Sequence, residues 1–313
     1  MFSNIDSVYK FFRVRINIAK KNIQQYGIVY HMDCLTSSLC RRLRILPIFS
    51  AVHMADYRYV KRRYKVIASK KHIFKASPRK PNTIWVIWWQ GRNVEKPKVV
   101  EACINSIKQN KGNYNLVIID KDNYSDYIDI HKTIINKFNE GHIGIAAFSD
   151  YIRFSLLEKY GGWYMDATIF TTKTIVEPKN SFYSIKYDGY KDHISKAKWS
   201  AYLWYLPEKH PLSTFVREVF EDYWSNHNEI INYFLIDCVV RTFYEHSETF
   251  HNQIDSLNYD NPSLYFFQET KSRERFEEKT WNSISANNQF FKCNRKNTCY
   301  DPMCYFGKIL GTE

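Results

Sequence analysis

Nowhere in its 313 residues does this sequence hold an uncharged apolar run long enough to span a bilayer. The N-terminal stretch MFSNIDSVYKFFRVRINIAKK also lacks the unbroken apolar core of a signal peptide. The expectation is a chain neither secreted by the usual route nor integral to a membrane. Its seven cysteines (Cys34, Cys40, Cys103, Cys238, Cys293, Cys299 and Cys304) are odd in number and include no Cys-x-x-Cys pair of zinc-site spacing. A disulfide framework is therefore not expected, and a reducing cytoplasm is the simplest home. No His/Cys/carboxylate cluster suggests zinc. Gly-x-Gly-x-x-Gly, Walker A and Gly-x-Ser-x-Gly are all missing, which argues against dinucleotide enzymes, P-loop kinases and nucleophile-elbow hydrolases.

Acidic residues are scarce in one region only. Residues 1–82 carry 18 Lys+Arg against 3 Asp+Glu, whereas the remainder carries 27 against 29. The formal charge of +13 thus belongs to a basic N-terminal segment attached to a nearly neutral body. Within that segment Val8, Phe11, Phe12, Ile16, Ala19 and Ile23 fall at helical spacing, with Lys10, Arg13, Lys20 and Lys21 mostly opposite. RRLRILPIF (41–49) and RYVKRRYKVIASKKHIFK (58–75) continue the mixture of cations and large apolar side chains. This composition suits an anionic membrane surface. A nucleic-acid surface would look similar but is the less expected partner. Equally open is a plain packing role, with the cations facing solvent.

What the sequence has in abundance is aromatic surface: 24 Tyr, 21 Phe and 8 Trp, within a hydrophobic content of 44%. Such a chain folds, and its rings suit both core packing and stacking on sugars or bases. SPRKPN (77–82) reads as a boundary, so residues 1–82 are separated from a core domain of residues 83–313. TIWVIWWQG (83–91) reads as a buried strand, KPKVVEACINSIKQN as a helix started by Pro97, and YNLVIID as a second strand ending at Asp120. That order makes a βαβ unit of a parallel sheet. GIAAFSDYIRFSLLEKYGG (144–162) follows as a helix, WYMDATIF as a strand, and FYSIKY and SAYLWYL as shorter strands. PLSTFVREVFEDYW (211–224) and INYFLIDCVVRTFYEH (231–246) read as further helices, with His210 a turn residue.

The chemistry centres on a carboxylate inside an apolar run. Asp166 lies on the strand WYMDATIF, and in open α/β sheets ligands bind outside the carboxyl ends of strands, where such a carboxylate would sit. Asp150 and Arg153 share one helix face three residues apart, as an intrahelical ion pair or as part of a site. Carboxylates that accept from sugar hydroxyls, together with a guanidinium fork for hydroxyl or phosphate oxygens, suit a sugar nucleotide.

The stretch AAFSDYIRFSLLEKYGGWYMDAT resembles the core of glycosyltransferase family 32 and its relatives, which include bacterial capsular polysaccharide synthesis proteins, yeast-type initiating mannosyltransferases and, more distantly, glucosyltransferase domains of large clostridial toxins. The residues that carry the likeness are Ser149, Asp150, Arg153, Leu156, Tyr160, Gly161, Gly162, Tyr164 and Asp166. IWVIWWQG and NYFLID (232–237) look like the capsular branch, and the resemblance spans roughly residues 84–296. Where the wider family carries a second aspartate, this chain has Thr168.

The resemblance implies a GT-A-type, Rossmann-like mixed α/β sheet flanked by helices. It also implies retaining transfer of a hexose, galactose or glucose favoured, from a nucleotide-diphosphate donor such as a UDP-sugar to a lipid-linked glycan of a capsular or related surface polysaccharide. Asp166 would hold a divalent cation, Mn²⁺ or Mg²⁺, although a neutral threonine is a poorer partner for it than a carboxylate; Asp237 offers another carboxylate. Asp150 and Arg153 would orient the donor, with Gly161, Gly162 and Thr168 beside it. Trp85, Trp88 or Trp89 would stack on the base, Tyr233 and Asp237 would face donor or acceptor, and Lys292 and Lys296 would cap the diphosphate. The implied location is cytoplasmic, on the inner face of the cell membrane. The competing reading is a non-catalytic nucleic-acid or membrane binder on a degenerate scaffold.

Overall fold

The computed structural model describes residues 2–45, 48–70, 81–91, 93–189, 191–297, 299 and 301–311. The elements in chain order are α1 (Phe2–Tyr26), α2 (Ile28–Arg42), α3 (Ile48–Ala68), β1 (Thr83–Ile87), α4 (Lys98–Asn110), β2 (Asn115–Ile119), α5 (Lys132–Asn139), α6 (Ile145–Tyr160), β3 (Gly162–Met165), β4 (Ile169–Thr171), β5 (Tyr183–Ser184), β6 (Leu203–Leu206), α7 (Pro211–Asn226), α8 (Leu235–His246), α9 (Glu248–Asp255), α10 (Glu278–Asn287), β7 (Phe290–Lys292) and α11 (Tyr305–Leu310). Residues 71–80, which include most of the boundary stretch and the end of the basic run, lie outside the described residues.

The main sheet has the order β2-β1-β3-β6-β5. β1 runs parallel to both β2 and β3, whereas β6 is antiparallel to β3 and to β5. This is the mixed α/β sheet flanked by helices that the sequence leads one to expect. Its two faces follow the pleat. Trp85 and Ile87, Tyr164, and Trp204 and Leu206 enter a core shared with α6, α7 and α8. Ile84 and Val86, Trp163 and Met165, and Leu203 and Tyr205 enter a second core under α4. Asp166, two residues beyond Tyr164, inherits the face that looks toward α6.

Two sequence readings change. WYMDATIF is not one strand: β3 stops at Met165, the chain turns at 166–168, and β4 leaves to pair with β7 in a separate two-stranded sheet. The helix expected from Ile231 begins only at Leu235, because the Asn232 side chain accepts from the Phe234 N–H at 2.8 Å and holds an Asx-type turn ahead of it. Tyr233 therefore sits on a loop and is largely exposed.

The described part of the N-terminal segment holds three helices, and they differ. α3 belongs to the body: Val60, Tyr64 and Ala68 are buried in the same core as α8. Four of its five cations form ion pairs, among them Lys61 with Glu245 at 2.6 Å and Arg63 with Asp222 at 2.9 Å. Arg58 and Arg62 in turn hold Asp33 of α2. α1 and α2 stand outside that core. On α1 the apolar stripe does not pack inward; Phe12, Ile16 and Ile23 are exposed. On α2, Tyr30 and Ser37 face in, while Ile28, Met32, Leu35, Leu39 and Leu43 line the opposite, exposed side. No helix of the described residues is long and apolar enough to cross a membrane, and all seven cysteines are free thiols.

Candidate active site

Because β1 and β3 are parallel, their carboxyl ends open on one side of the sheet, where the antiparallel β6 delivers its amino end. A cleft of about 1010 Å³ lies there, lined by the ends of these three strands, the first half of α6, the start of α8 and the segment after β7.

Two glycines make the geometry. Gly161 (φ 64°) ends α6 and Gly162 (φ 101°) opens β3, both in the left-handed region. A Cβ at Gly162 would lie 2.3 Å from the Thr83 carbonyl oxygen, and one at Gly161 would lie 2.5 Å from the Glu208 nitrogen. These glycines bring α6 and β3 together and do not line the cleft. Trp85 supports the same turn, its buried indole donating to the Gly161 carbonyl at 2.9 Å. Of the three candidate tryptophans only Trp88 and Trp89 line the cleft. The Trp88 indole N–H is buried without a hydrogen-bond partner, and Trp89 packs on Tyr124, Phe138 and Phe148.

Asp150 and Arg153 are both an intrahelical pair and part of the cleft. The guanidinium stands 3.2 Å from Asp150 Oδ1, donates to the Ala201 carbonyl and lies 4.4 Å from the centre of the Tyr164 ring. Burying a charge is costly unless it is paired, and Arg153 meets that condition through this cage, with its Nε left unpartnered. Burial pushes the Asp150 carboxyl up to about 7; Arg153 opposes this, and the negative charges of Asp237 and Asp166 reinforce it. Asp237, in the first turn of α8, accepts from the Trp199 indole at 2.9 Å. Burial likewise raises it to about 6 against the pull of Trp199 and Arg153. Two buried carboxyls raised above the usual carboxylate range thus share one cleft with one guanidinium.

Asp166 is the exception. Burial would raise it too, but Lys292, Arg153 and two hydrogen bonds from Thr168 outweigh that and hold it below the usual carboxylate range. Its Oδ1 accepts from the Thr168 N–H and hydroxyl, each at 3.0 Å, and its Oδ2 lies 3.2 Å from the Lys292 ammonium. Lys292 also donates to Thr168 Oγ1 and sits 4.8 Å from the Tyr202 ring centre. Register places it there, since Ile169 of β4 pairs with Lys292 of β7.

The resemblance implies a divalent cation at these residues. Among the described residues no three His, Cys, Asp or Glu side chains converge as metal ligands. Asp237 keeps its own partner, both Asp166 oxygens are engaged, and a fixed ammonium already faces the carboxylate. The donor set does not fit a protein-built divalent site.

Of the other expected residues, Thr168, Tyr233 and Asp237 line the cleft, while Lys296 is exposed and lies off it; Arg295 lines it instead. His193, Trp199, Tyr202 and Tyr265 also line it and escaped the sequence reading. The segment Lys186–Ala201 offered no periodic pattern that could have flagged them; the aromatic run into β6 was the one available signal. His210 is the buried N-cap of α7, its ring accepting from Leu212 N–H at 3.2 Å.

A family model of capsular polysaccharide synthesis proteins matches residues 42–306. The chain belongs to this family. It is the capsular branch of the resemblance that the match supports, and the matched span takes in α3 and the whole cleft. A comparison with curated proteins finds no match. Among solved structures the chain is similar to one described as PaToxG Glycosyltransferase, with 15% identity and a TM-score of 0.39, over 66% of this chain and 82% of that one.

Proposed function

We propose that this capsular polysaccharide synthesis family member is a retaining hexosyltransferase. It would take galactose or glucose from a nucleotide-diphosphate donor, UDP favoured, and pass it to a lipid-linked glycan. The observation that carries this reading is the convergence in one cleft, beyond the carboxyl ends of parallel strands, of a buried carboxylate pair around Arg153 and a fixed ammonium at Asp166. Asp150, Asp237 and Arg153 accept and donate toward sugar hydroxyls, so their part is positioning. Trp88 and Trp89 offer ring surface to the base. The cationic end at Lys292 receives the departing diphosphate, whose growing negative charge is the main electrostatic load of glycosyl transfer. A retaining transfer needs no separate strong base, because the leaving phosphate oxygen takes the acceptor proton on the same face.

The proposed partner and location rest on α1 and α2. Lys10, Arg13, Lys20, Arg41, Arg42 and Arg44 have no ion partner among the described residues, and the same two helices expose large apolar side chains. That pairing suits an anionic bilayer. The inward sides of α2 and α3 adjoin the cleft wall: Ser50 donates to the Asp192 carbonyl at 2.9 Å, and Asp56 joins Tyr30 of α2 to Asn232 beside the cleft residue Tyr233. A lipid-linked acceptor would then meet the cleft at its mouth.

Incubation with a panel of UDP- and GDP-sugars, following release of nucleoside diphosphate, tests the transferase. Release from one donor, lost in Asp166→Asn, is expected; no turnover and no binding of any donor would sink it. For location, wild type should sediment with phosphatidylglycerol vesicles and Leu35→Glu/Leu39→Glu should not. Equal sedimentation, or a dimer that the double variant splits, would refute the bilayer.

A further inference from the structure

The contacts around Asp166 describe a closed circuit. Thr168 donates its single hydroxyl proton to Asp166 Oδ1 and accepts from Lys292, while Lys292 also faces Asp166 Oδ2. Thr168 is therefore a bridge between ammonium and carboxylate, which a second aspartate at this position could not be: an ionised carboxylate has no proton to give. The circuit is rigidly placed. Lys292 lies on β7, paired with Ile169, its own N–H donates to the Leu264 carbonyl at 2.7 Å, and its side chain is largely buried against Tyr202. Asp166 and Thr168 occupy two of its three ammonium N–H donors. The ammonium so held lines the cleft, and Arg295 lines the same cleft three residues later.

A divalent cation on Asp166 would have to share one carboxylate with this ammonium at close range, and like charges repel most where water is sparse. With Lys292 held at this carboxylate through Thr168, the cation is already part of the chain.

We infer that Lys292, assisted by Arg295, neutralises the donor diphosphate in place of a divalent metal ion. This inference rests on the nucleotide-sugar reading above. In the step it serves, the bond between the sugar C1 and the β-phosphate oxygen breaks and its electron pair stays on that oxygen, which hydrogen-bonds the Lys292 ammonium. The acceptor hydroxyl oxygen bonds to C1 and its proton passes to the phosphate. Nothing is oxidised or reduced, and the products are the glycosylated acceptor and a nucleoside diphosphate. Lys292 remains protonated throughout, so it acts as a fixed positive charge and never as an acid. Asp166 and Thr168 hold that charge at the cleft and keep it from swinging into solvent.

The test uses the full chain, treated with EDTA, and calorimetric titration with UDP and GDP separately as probes, repeated with Mn²⁺. The binding nucleotide should show affinities in EDTA and in Mn²⁺ within about twofold of each other. Lys292→Met should weaken binding at least about tenfold in EDTA, with Lys292→Arg recovering most of it. Circular dichroism on each variant separates loss of the charge from loss of the fold, and Mn²⁺ titrated alone should give no saturable heat. Binding or donor release that appears only with Mn²⁺, or a Lys292→Met variant that binds like wild type, overturns the lysine's role while leaving the transferase standing. If neither nucleotide binds under any condition, the nucleotide-sugar reading falls and this inference with it.

Discussion

α6 and α2 are both helices bearing large apolar side chains, yet they treat them in opposite ways. On α6 nearly every residue is covered: Phe148, Ile152, Leu156 and Leu157 are fully buried, and even the charges of Asp150 and Arg153 are taken in and paired. On α2 the apolar stripe faces out, and of the 21 large hydrophobic side chains exposed among the described residues, 13 lie between Phe12 and Val52. A fold-stabilising helix buries its apolar side; one that leaves it bare reserves it for something else. In the function proposed above, the body would carry the chemistry and the first two helices the address.

The same substitution should therefore have opposite consequences in the two regions. Leu156→Glu places a carboxylate in a close-packed interior and should cost more than about 4 kcal/mol, read by urea unfolding. Within the cleft, Asp166→Asn should lower donor turnover about a hundredfold without a comparable loss of stability, since it removes the charge that fixes Lys292. Asp150→Asn tests the buried acid by pH. Because burial raises the folded carboxyl to about 7, above its unfolded value, the native state holds the extra proton. Its stabilising contribution is full below the unfolded value and is lost as the pH rises through about 7. The difference in melting temperature between Asp150→Asn and wild type should accordingly grow more favourable to the variant from pH 5 to pH 8; a flat difference would mean Asp150 titrates normally. Smallest of all, Leu35→Glu on α2 should change unfolding free energy by less than about 0.5 kcal/mol. A cost like that of Leu156→Glu would show that the α2 face is covered.

Much of the body was legible in the sequence, because α6 and β1 to β3 follow strong local rules. Their apolar periods are clear, Pro97 and Gly144 begin helices, and Gly161 ends one. The meeting of Asp150, Arg153 and Asp166 at one cleft was legible for the same reason, since they sit on consecutive, rule-bound elements, which Gly161 and Gly162 join without lining the cleft. What was not legible is set by pairing at long range. No local pattern shows that β3 and β4 part at Asp166, because their separation depends on β7, more than a hundred residues later. For the same reason Arg295 rather than Lys296 reaches the cleft, and Trp85 turns away from it to hold Gly161. The outward stripe of α2 was overlooked because its apolar period reads the same whether it points to a core or away from one.

The ladder between β4 and β7 has a consequence for how the molecule comes into being. Asp166 and Thr168 emerge from the ribosome well before Lys292, and the contact between Thr168 and Lys292 spans 124 positions. Throughout that interval the nascent chain holds α6 with Asp150 and Arg153 but lacks the ammonium that Asp166 and Thr168 grip. On the function proposed above, a prematurely terminated product would lack that charge at the cleft, and competence would arrive in one late step as β7 docks on β4.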